Sequence, residues 1–217
     1  MTSLRTRQRL VERLTEKGIN DVRILEAMRD TRRHLFLDEA LSSRAYEDLA
    51  LPIGYQQTIS QPYIVAKMTE ILIEDKKLEV QPIEKALEIG TGCGYQAAIL
   101  SKFSKTVHTL ERIKALHDKA VINLKKLKIR NVKLIFDDGS EFQGRSDKYD
   151  AILFAAAPLE VPSYFLDKLS MGGRLIAPVG GKDHQNLTLI QKIGKDKYET
   201  KILDQVLFVP LLEGKIE

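Results

Sequence analysis

The amino-acid sequence predicts an α/β fold: a mostly parallel, Rossmann-like sheet with an antiparallel C-terminal hairpin and an N-terminal helical extension. Three observations support this prediction. Short apolar runs alternate with helical segments between residues 85 and 178, which is typical of a parallel sheet covered on both faces. A glycine-rich turn within residues 87–100 joins a strand to a helix. The last two β-rich runs have no helix between them, which favours antiparallel pairing.

The first segment of the chain is predicted to be helical. Apolar residues at helical spacing predict a helix over residues 4–17, and Gly18 provides a stop signal. A second helix follows, with Asn20 or Asp21 as its cap.

An irregular loop is predicted at residues 52–61, because this stretch contains a proline and a glycine and precedes a second proline. Pro62 then opens a helix with an apolar stripe. The charged residues 74–79 are expected to form a connector to the α/β core.

The α/β core is predicted from its alternating pattern. Strands are expected at residues 86–89, 106–110, 132–136, 151–154 and 174–178, and helices at residues 95–103, 113–128 and 161–169. Two further strands, at residues 187–193 and 200–209, are expected to close the sheet edge as an antiparallel hairpin.

Composition places the chain among globular proteins. Its 217 residues are 43% apolar and 29% charged, which excludes disordered, collagen-like and disulfide-scaffold classes. We expect one domain, with a helical and loop region at residues 1–80 and an α/β core at residues 81–217. Cys93 is the single cysteine, so no intrachain disulfide can form, which favours a cytoplasmic location.

The charge distribution bears on possible partners. The formal net charge of +4 arises within residues 1–33, which could attract nucleic acid, an anionic membrane or an acidic substrate. We interpret this segment as a solvated helix face of mixed charge. The apolar runs are far shorter than the roughly 20 residues of a membrane span, and the start of the chain lacks a secretory signal pattern. We therefore expect a monomer with no nucleic-acid or membrane partner.

The glycine-rich turn carries the strongest chemical signal. Glycines at positions 90, 92 and 94 follow a predicted strand, where they allow a tight turn and close approach of a ligand. The dinucleotide-binding pattern G-x-G-x-x-G would need a glycine where this chain has Tyr95. The spacing therefore favours a nucleoside ligand without a pyrophosphate, of which S-adenosylmethionine is the common one.

Acidic residues follow the next two strands. Glu111 ends the second core strand, where a carboxylate can accept hydrogen bonds from both ribose hydroxyls. Asp138 follows the third core strand, where an acid can meet an adenine amino group. The alternatives are a favourable acid at the start of a helix for Glu111 and an ordinary Asp-Gly turn at Asp138 and Gly139.

The loop before Pro62 contains Ser60, which could serve the chemistry or simply cap the following helix. The G-x-S-x-G pattern of a serine-hydrolase elbow is missing from the sequence. The four histidines lack metal-ligand spacing, so we expect no metal. Cys93 is interpreted as a small space-filling residue rather than a reactive thiol.

The chain as a whole resembles the protein-L-isoaspartate (D-aspartate) O-methyltransferase family from about residue 8 to its C-terminus. The segments that carry the resemblance are ALPIGYQQTISQPYIVAKMTE, LEIGTGCGYQAAIL, HTLERI, DDG, DAILFAAAPLEVP, GGRLIAPVG and FVPL. The TISQP loop is particular to that family, whereas the glycine loop indicates only a methyltransferase. The resemblance implies a class I methyltransferase sheet and transfer of a methyl group from S-adenosylmethionine to the free carboxylate of L-isoaspartyl residues in damaged proteins, with S-adenosylhomocysteine as product. Activity on D-aspartyl residues stays open on the sequence.

The resemblance also implies site residues. By this resemblance, Ser60 would be the catalytic residue. The cofactor-binding residues would be Thr58, Ile59, Glu88, Gly90, Thr91, Gly92, Glu111, Arg112, Asp138 and Gly139. The substrate-binding residues would be Ser60, Ala157, Pro158, Val209 and Pro210. The chain departs from the family at Asp137, where many members have glycine, and at residues 140–144, where bacterial relatives often have an aromatic-rich stretch.

Three alternatives stay open on the sequence. A small-molecule or lipid-precursor methyltransferase would share the cofactor, but the TISQP loop argues against it. A binding module without transfer activity would not need an intact Ser60. A nicotinamide-dependent oxidoreductase is disfavoured by Tyr95 in place of the last fingerprint glycine.

Overall fold

The computed structural model of the protein describes residues 4–74, 81–139 and 146–217. Residues 75–79 of the predicted connector and the departure at residues 140–144 lie outside the described residues.

The N-terminal region consists of helices and a short hairpin. Its elements are α1 (Leu4–Glu16), α2 (Val22–Asp30), two 3₁₀ helices (Arg33–Phe36 and Glu39–Arg44), β1 (Leu51–Gly54), β2 (Gln57–Ile59) and α3 (Pro62–Ile73). Asp21 caps α2, because its side chain accepts a hydrogen bond from the Arg23 backbone N–H.

The core alternates strands and helices as predicted. Its elements are β3 (Ile83–Ile89), α4 (Tyr95–Leu100), β4 (Ser104–Glu111), α5 (Lys114–Lys126), β5 (Val132–Phe136), β6 (Tyr149–Phe154), α6 (Ser163–Asp167), β7 (Leu169–Gly180), β8 (Gln185–Gly194) and β9 (Lys197–Val206).

Within the described residues, seven strands form one sheet in the order β5-β4-β3-β6-β7-β8-β9. The first five are joined by parallel pairing, and β7–β8 and β8–β9 are antiparallel. The predicted mostly parallel sheet with an antiparallel C-terminal hairpin is therefore confirmed. The carboxyl ends of β3, β4, β5 and β6 all meet at the same edge of the sheet.

The prediction of an irregular loop at residues 52–61 is wrong, because most of this stretch forms the antiparallel β1–β2 hairpin. Tyr55 and Gln56 form its turn with φ angles of 53° and 57°. Such a turn usually carries Asn-Gly or Asp-Gly, so the residues at these positions provide little local indication of it. The hairpin brings Ser60 to the end of β2, directly before α3.

Several predicted elements have shifted ends. The helix predicted at residues 95–103 ends at Leu100, after which the chain turns through Phe103 before β4. The strand predicted at residues 174–178 is longer, from Leu169 to Gly180. The final strand ends at Val206, so the residues after it form a separate C-terminal tail.

Two apolar clusters cover the two faces of the sheet. One joins the N-terminal helices and α3 to β3 and β4, with Leu14, Met68 and Val107 among its buried members. The other lies on the opposite face, around Phe154 and Phe165. Burial of each large side chain contributes roughly 1.5–3 kcal/mol, so the N-terminal helices are integral to the core.

None of the helices in the described segments has the length and apolar content needed to cross a membrane.

Candidate active site

A cleft opens at the edge of the sheet where the parallel strands end. We call it the strand-end cleft; it encloses about 800 Å³, open solvent included. Its walls come from the ends of β3 to β6, the β1–β2 hairpin and the C-terminal tail. The predicted site residues that line it are Thr58, Ile59, Ser60, Gly90, Thr91, Gly92, Glu111, Arg112, Asp138, Val209 and Pro210.

The glycine turn after β3 forms the floor of the cleft. Gly90 and Gly92 have φ angles of 93° and 54°, a region that side chains other than glycine rarely occupy. The backbone N–H groups of Gly90 and Thr91 both donate to the Leu110 carbonyl, at 2.9 and 3.0 Å. A Cβ atom at Gly92 would lie 3.2 Å from Ile53 Cδ1 on the hairpin. The turn is therefore a tight cradle that a side chain would partly fill.

Glu111, at the end of β4, connects this cradle to the neighbouring strand. Its Oε2 accepts a hydrogen bond from the Gly92 backbone N–H at 2.8 Å, and its Oε1 accepts one from the Ile113 N–H at 2.9 Å. Burial raises the pKa of Glu111, and these backbone N–H groups oppose that rise. Each carboxylate oxygen has a second lone pair, so Glu111 can still accept hydrogen bonds from ribose hydroxyls.

The turn after β5 contains two acids with different surroundings. Asp137 is buried, and its Oδ1 accepts the Gly139 backbone N–H at 2.6 Å. The extra acid therefore shapes the turn as well as facing the cleft. Asp138 lines the cleft, and its Oδ2 accepts the Gly214 N–H at 2.6 Å. Gly139 does not line the cleft; its positive φ of 96° supports the turn instead.

Ser60 lies at the end of the hairpin, next to the first turn of α3. The residue that caps α3 is Gln61, so helix capping does not explain Ser60. Asp48 anchors this region, because it accepts the Tyr63 backbone N–H at 2.8 Å and the Gln61 side-chain amide at 3.0 Å. Lys17 Nζ lies 2.6 Å from the same carboxylate. The serine is thus held by contacts to the N-terminal region.

A second cavity adjoins the first on the outer side of Ser60. We call it the Ser60 groove; it encloses about 1040 Å³, open solvent included. The two cavities share Thr58, Ser60, Ala155 and Val209. The other walls of the groove are Leu49, Ala50, Gln61, Ile64, Gln205, Val206, Leu207 and Phe208. Within the part of the chain that the structure describes, no ionisable side chain lines the groove.

The C-terminal tail is held across the strand ends by its backbone. The Ala157 N–H donates to the Val209 carbonyl at 2.8 Å, and the Leu211 N–H donates to the Ala157 carbonyl at 2.7 Å. Pro158 accepts a hydrogen bond from the Gly180 N–H at 3.0 Å. Neither Ala157 nor Pro158 lines either cavity. Ala157 instead positions Val209 and Pro210, which line the strand-end cleft, through its backbone.

Glu88, which was predicted to bind the cofactor, does not lie at the cleft surface. It is fully buried within the sheet, and its Oε2 lies 2.5 Å from Thr109 Oγ1, within hydrogen-bonding distance. Strand β3 continues for one residue beyond Glu88, so this side chain lies inside the sheet and is covered by the elements packed against it. Glu88 consequently does not line the cleft.

Tyr95 is a cleft residue whose role the sequence did not indicate. It is buried, and its ring lies 4.9 Å from the Arg33 guanidinium and 5.3 Å from the Phe36 ring. The Arg33 side chain also donates to the Leu49 carbonyl at 3.2 Å. The position of Tyr95 directly after the glycine turn was the one sequence signal that could have placed it at the cleft. Arg33 lies in a segment without a recognisable motif, so the sequence did not indicate its contact with Tyr95. Together they attach the N-terminal region to the cradle.

The remaining chemical candidates are accounted for by packing. Cys93 is buried, which raises the pKa of its thiol to about 11, so it is protonated at neutral pH. Within the described ranges, no group of three His, Cys, Asp or Glu side chains could hold a metal ion.

Replacement of Gly92 by alanine should weaken nucleoside binding. The new Cβ would meet Ile53 and strain the backbone, at a cost of about 1–2 kcal/mol. Isothermal titration with S-adenosylhomocysteine should show a loss of affinity of about tenfold. Gly18→Ala is the matched control, because Gly18 also has positive φ but lies in the turn after α1 with open space around it. Equal affinities for the two variants would contradict the proposed cradle.

Replacement of Glu111 by alanine should also weaken binding, by about 1–3 kcal/mol, because ribose hydroxyls would lose their acceptor. The control is Asp118→Ala, which removes an exposed carboxylate of α5 that pairs with Lys114. Calorimetry should detect the loss only for Glu111→Ala, and thermal unfolding should show that this variant is folded. An unchanged dissociation constant would remove Glu111 from the site.

Comparisons with known proteins agree with this geometry. Residues 5–216 match the protein-L-isoaspartate(D-aspartate) O-methyltransferase family. The chain is 51% identical over 216 residues to a protein-L-isoaspartate O-methyltransferase of Pseudomonas paraeruginosa, covering 100% of both chains. It is 47% identical over 218 residues to one of Burkholderia lata, covering 100% of this chain and 69% of that protein.

A solved structure has the same fold. It is a Plasmodium falciparum protein assigned as a protein-L-isoaspartate O-methyltransferase, in complex with S-adenosyl-L-homocysteine. The TM-score is 0.80 at 28% sequence identity, over 94% of this chain and 96% of that one. The extent of these matches, together with the cleft at the strand ends, shows that the chain belongs to the protein-L-isoaspartate (D-aspartate) O-methyltransferase family.

Proposed function

We propose that this protein transfers a methyl group from S-adenosylmethionine to the free carboxylate of L-isoaspartyl residues in damaged proteins and peptides, with Ser60 as the catalytic residue. The observation that carries this proposal is the position of Ser60 at the boundary between two cavities. The strand-end cleft suits a nucleoside, and the Ser60 groove suits an extended peptide. A methyl acceptor in the groove would therefore meet the donor beside this hydroxyl.

The residues of the strand-end cleft fit S-adenosylmethionine. Glu111 would accept hydrogen bonds from the ribose hydroxyls, and Asp138 would meet the adenine amino group. The cradle at Gly90 and Gly92 allows the backbone to approach the ligand closely. When bound, the cofactor supplies a methyl group activated by the positive charge of its sulfonium. The acids Glu111 and Asp138 favour such a cationic ligand.

The reaction needs no general base from the protein. The isoaspartyl carboxyl has an ordinary pKa of roughly 4, so it is ionised at neutral pH. One of its oxygens forms a bond to the methyl carbon while the carbon–sulfur bond breaks. The electron pair of that bond stays on sulfur, which yields a methyl ester and S-adenosylhomocysteine without release of a proton.

Ser60 contributes by orientation. Its hydroxyl can donate a hydrogen bond to one carboxylate oxygen and so hold the other oxygen in line with the methyl group. Such positioning contributes up to roughly 7–11 kcal/mol in favourable cases. An uncharged donor fixes the carboxylate without greatly lowering its nucleophilicity. A cationic donor such as lysine or arginine would lower it more.

The Ser60 groove would bind the peptide around the damaged residue. The described walls of the groove include no ionisable side chain. Peptide binding there should therefore depend little on the charge of the residues that flank the isoaspartyl residue. Val209 lines both cavities and Pro210 follows it in the wall of the strand-end cleft, so we assign both to substrate binding. D-aspartyl residues also have a free carboxylate, on their side chain, and are a second substrate class to be assayed.

We also propose that the enzyme acts as a monomer in the cytoplasm, without nucleic-acid or membrane partners. A monomer is sufficient for the proposed reaction, because residues of one chain form both the strand-end cleft and the Ser60 groove. The single, buried cysteine suits a reducing compartment.

Replacement of Ser60 by alanine should reduce methyl transfer strongly and leave cofactor affinity nearly unchanged. The reason is that the hydroxyl orients the acceptor carboxylate and makes no required contact to the nucleoside. Initial rates should be measured with an isoaspartyl peptide, and affinity by titration with S-adenosylhomocysteine. Ser43→Ala, an exposed serine beside the N-terminal helices, is the matched control and should behave as wild type.

The same assay should include the peptide of identical sequence with a normal aspartyl residue, which we expect to remain unmethylated. Methylation of both peptides at equal rates would refute the proposed substrate class. Equal losses of rate and cofactor affinity in Ser60→Ala would refute the assigned role of the serine.

A further inference from the structure

Three oxygen-bearing side chains connect the interior of the sheet to the wall of the strand-end cleft. Glu88 on β3 and Thr109 on β4 are paired in the parallel register, and Thr109 Oγ1 lies 2.5 Å from Glu88 Oε2. The same Thr109 oxygen lies 2.6 Å from Thr91 Oγ1. Thr91 lines the cleft. We call this arrangement the Glu88–Thr109–Thr91 chain.

Packing alone does not explain why a carboxyl group occupies position 88. Glu88 and Thr109 are both 0% exposed, and the partner of Glu88 on β6 is the apolar Leu153. Within the described residues, Glu88 Oε1 has no hydrogen-bond partner. Burial of such a group has a free-energy cost that an apolar side chain would avoid. A buried polar atom without a partner therefore calls for a functional explanation.

The protonation state of Glu88 determines the direction of the hydrogen bonds, because each threonine hydroxyl has only one proton to donate. In neutral Glu88 the proton lies on Oε2, where Thr109 can accept it. Thr109 then donates to Thr91, and the Thr91 proton is left to face the cleft. In ionised Glu88 the direction reverses: Thr109 donates to Glu88, Thr91 donates to Thr109, and Thr91 presents its lone pairs to the cleft.

We propose that Thr109 is a positioning residue that transmits the protonation state of Glu88 to the Thr91 hydroxyl, so that Thr91 is a donor to the cofactor site when Glu88 is neutral and an acceptor when it is ionised. The inference rests on the proposed cofactor site but is independent of the peptide substrate.

The electrostatic surroundings place this change near physiological pH. Burial raises the pKa of Glu88 to about 8, the Thr109 hydrogen bond opposes that rise, and the charge of Glu111 adds to it. Glu111, at the end of the neighbouring strand β4, is the charged group whose effect on the pKa of Glu88 is resolved, and it raises that pKa. Glu88 is therefore mostly neutral at pH 7 and becomes ionised at mildly alkaline pH.

The two forms of the cofactor should respond differently. S-adenosylmethionine carries a sulfonium charge that S-adenosylhomocysteine lacks, and a nearby anion favours a cation. Ionised Glu88, together with Thr91 as an acceptor, should therefore favour the methyl donor over the demethylated product. The affinity for S-adenosylmethionine relative to S-adenosylhomocysteine should rise as pH increases through the titration of Glu88.

The test is calorimetric titration of the intact protein with each nucleoside between about pH 6 and about pH 9, a range that spans this titration. In wild type the affinity ratio should rise with pH, by at most about tenfold per pH unit for one coupled proton. Glu88→Gln should make the ratio independent of pH. Thr109→Val should lose most of the slope, and Thr109→Ser, which retains the hydroxyl, should restore it.

A purely structural role for Thr109 would change stability without changing this slope. If Thr109→Val does not fold, Thr91→Val interrupts the chain at its cleft end and should have the same effect. If the affinity ratio of Thr109→Val rose with pH as steeply as that of wild type, the role of Thr109 would be overturned. An affinity ratio that does not change with pH in wild type would overturn the whole inference. The titration uses no peptide, so its result can be interpreted even if the protein does not methylate isoaspartyl peptides. The lack of any S-adenosylmethionine binding would overturn both proposals.

Two further measurements report on Glu88 without the cofactor. Infrared difference spectra between wild type and Glu88→Gln should contain the C=O band of a protonated carboxylic acid at neutral pH. The folded chain binds a proton at Glu88 that the unfolded chain releases above its ordinary pKa, so wild-type stability should fall relative to Glu88→Gln as pH rises from about 5 to about 8. A carboxylate spectrum and parallel stability curves would contradict the neutral state.

Discussion

The site depends on the parallel pairing of the central strands. This pairing brings the carboxyl ends of four strands to one edge of the sheet, and Glu111 then joins two of them. Its carboxylate accepts the N–H of Gly92 on one side and of Ile113 on the other. The cradle of the glycine turn is therefore fixed to β4 through a buried acid. The hairpin and the tail are arranged around this fixed edge.

The residues that line the strand-end cleft were largely predictable from the sequence, because their signals are local. Alternating strands and helices define a parallel sheet, and residues that directly follow its strands must lie at its carboxyl edge. Glu111 and Asp138 were found on that basis. Glu88 and Gly139 do not face the cleft, because the face on which a side chain lies changes from one residue to the next. The sequence pattern located the ends of the strands. It did not show which side chains at those ends face the cleft.

The substrate side was less predictable, because it depends on contacts between residues far apart in the chain. The β1–β2 hairpin turns through Tyr55 and Gln56, which give little local turn signal. Asp48 holds the region of Ser60, and Arg33 packs on Tyr95 beside the glycine turn. The N-terminal extension is thus part of the active site. Its short-range sequence pattern predicts helices and gives no indication of these contacts.

Under the proposed function, each of the two cavities recognises one of the two substrates. The strand-end cleft contains buried acids and suits a cationic nucleoside, whereas the Ser60 groove has uncharged described walls and suits peptide main chain. Ser60 and Val209 belong to both cavities. The central claim is that the acceptor carboxylate and the donor methyl group meet at this boundary.

A crystal structure of the protein with S-adenosylhomocysteine and an isoaspartyl peptide would test that claim most directly. The account predicts the ribose at Glu111, the adenine near Asp138, and the isoaspartyl carboxylate within hydrogen-bonding distance of the Ser60 hydroxyl and facing the sulfur. A nucleoside bound outside the strand-end cleft, or a peptide carboxylate bound away from Ser60, would contradict it.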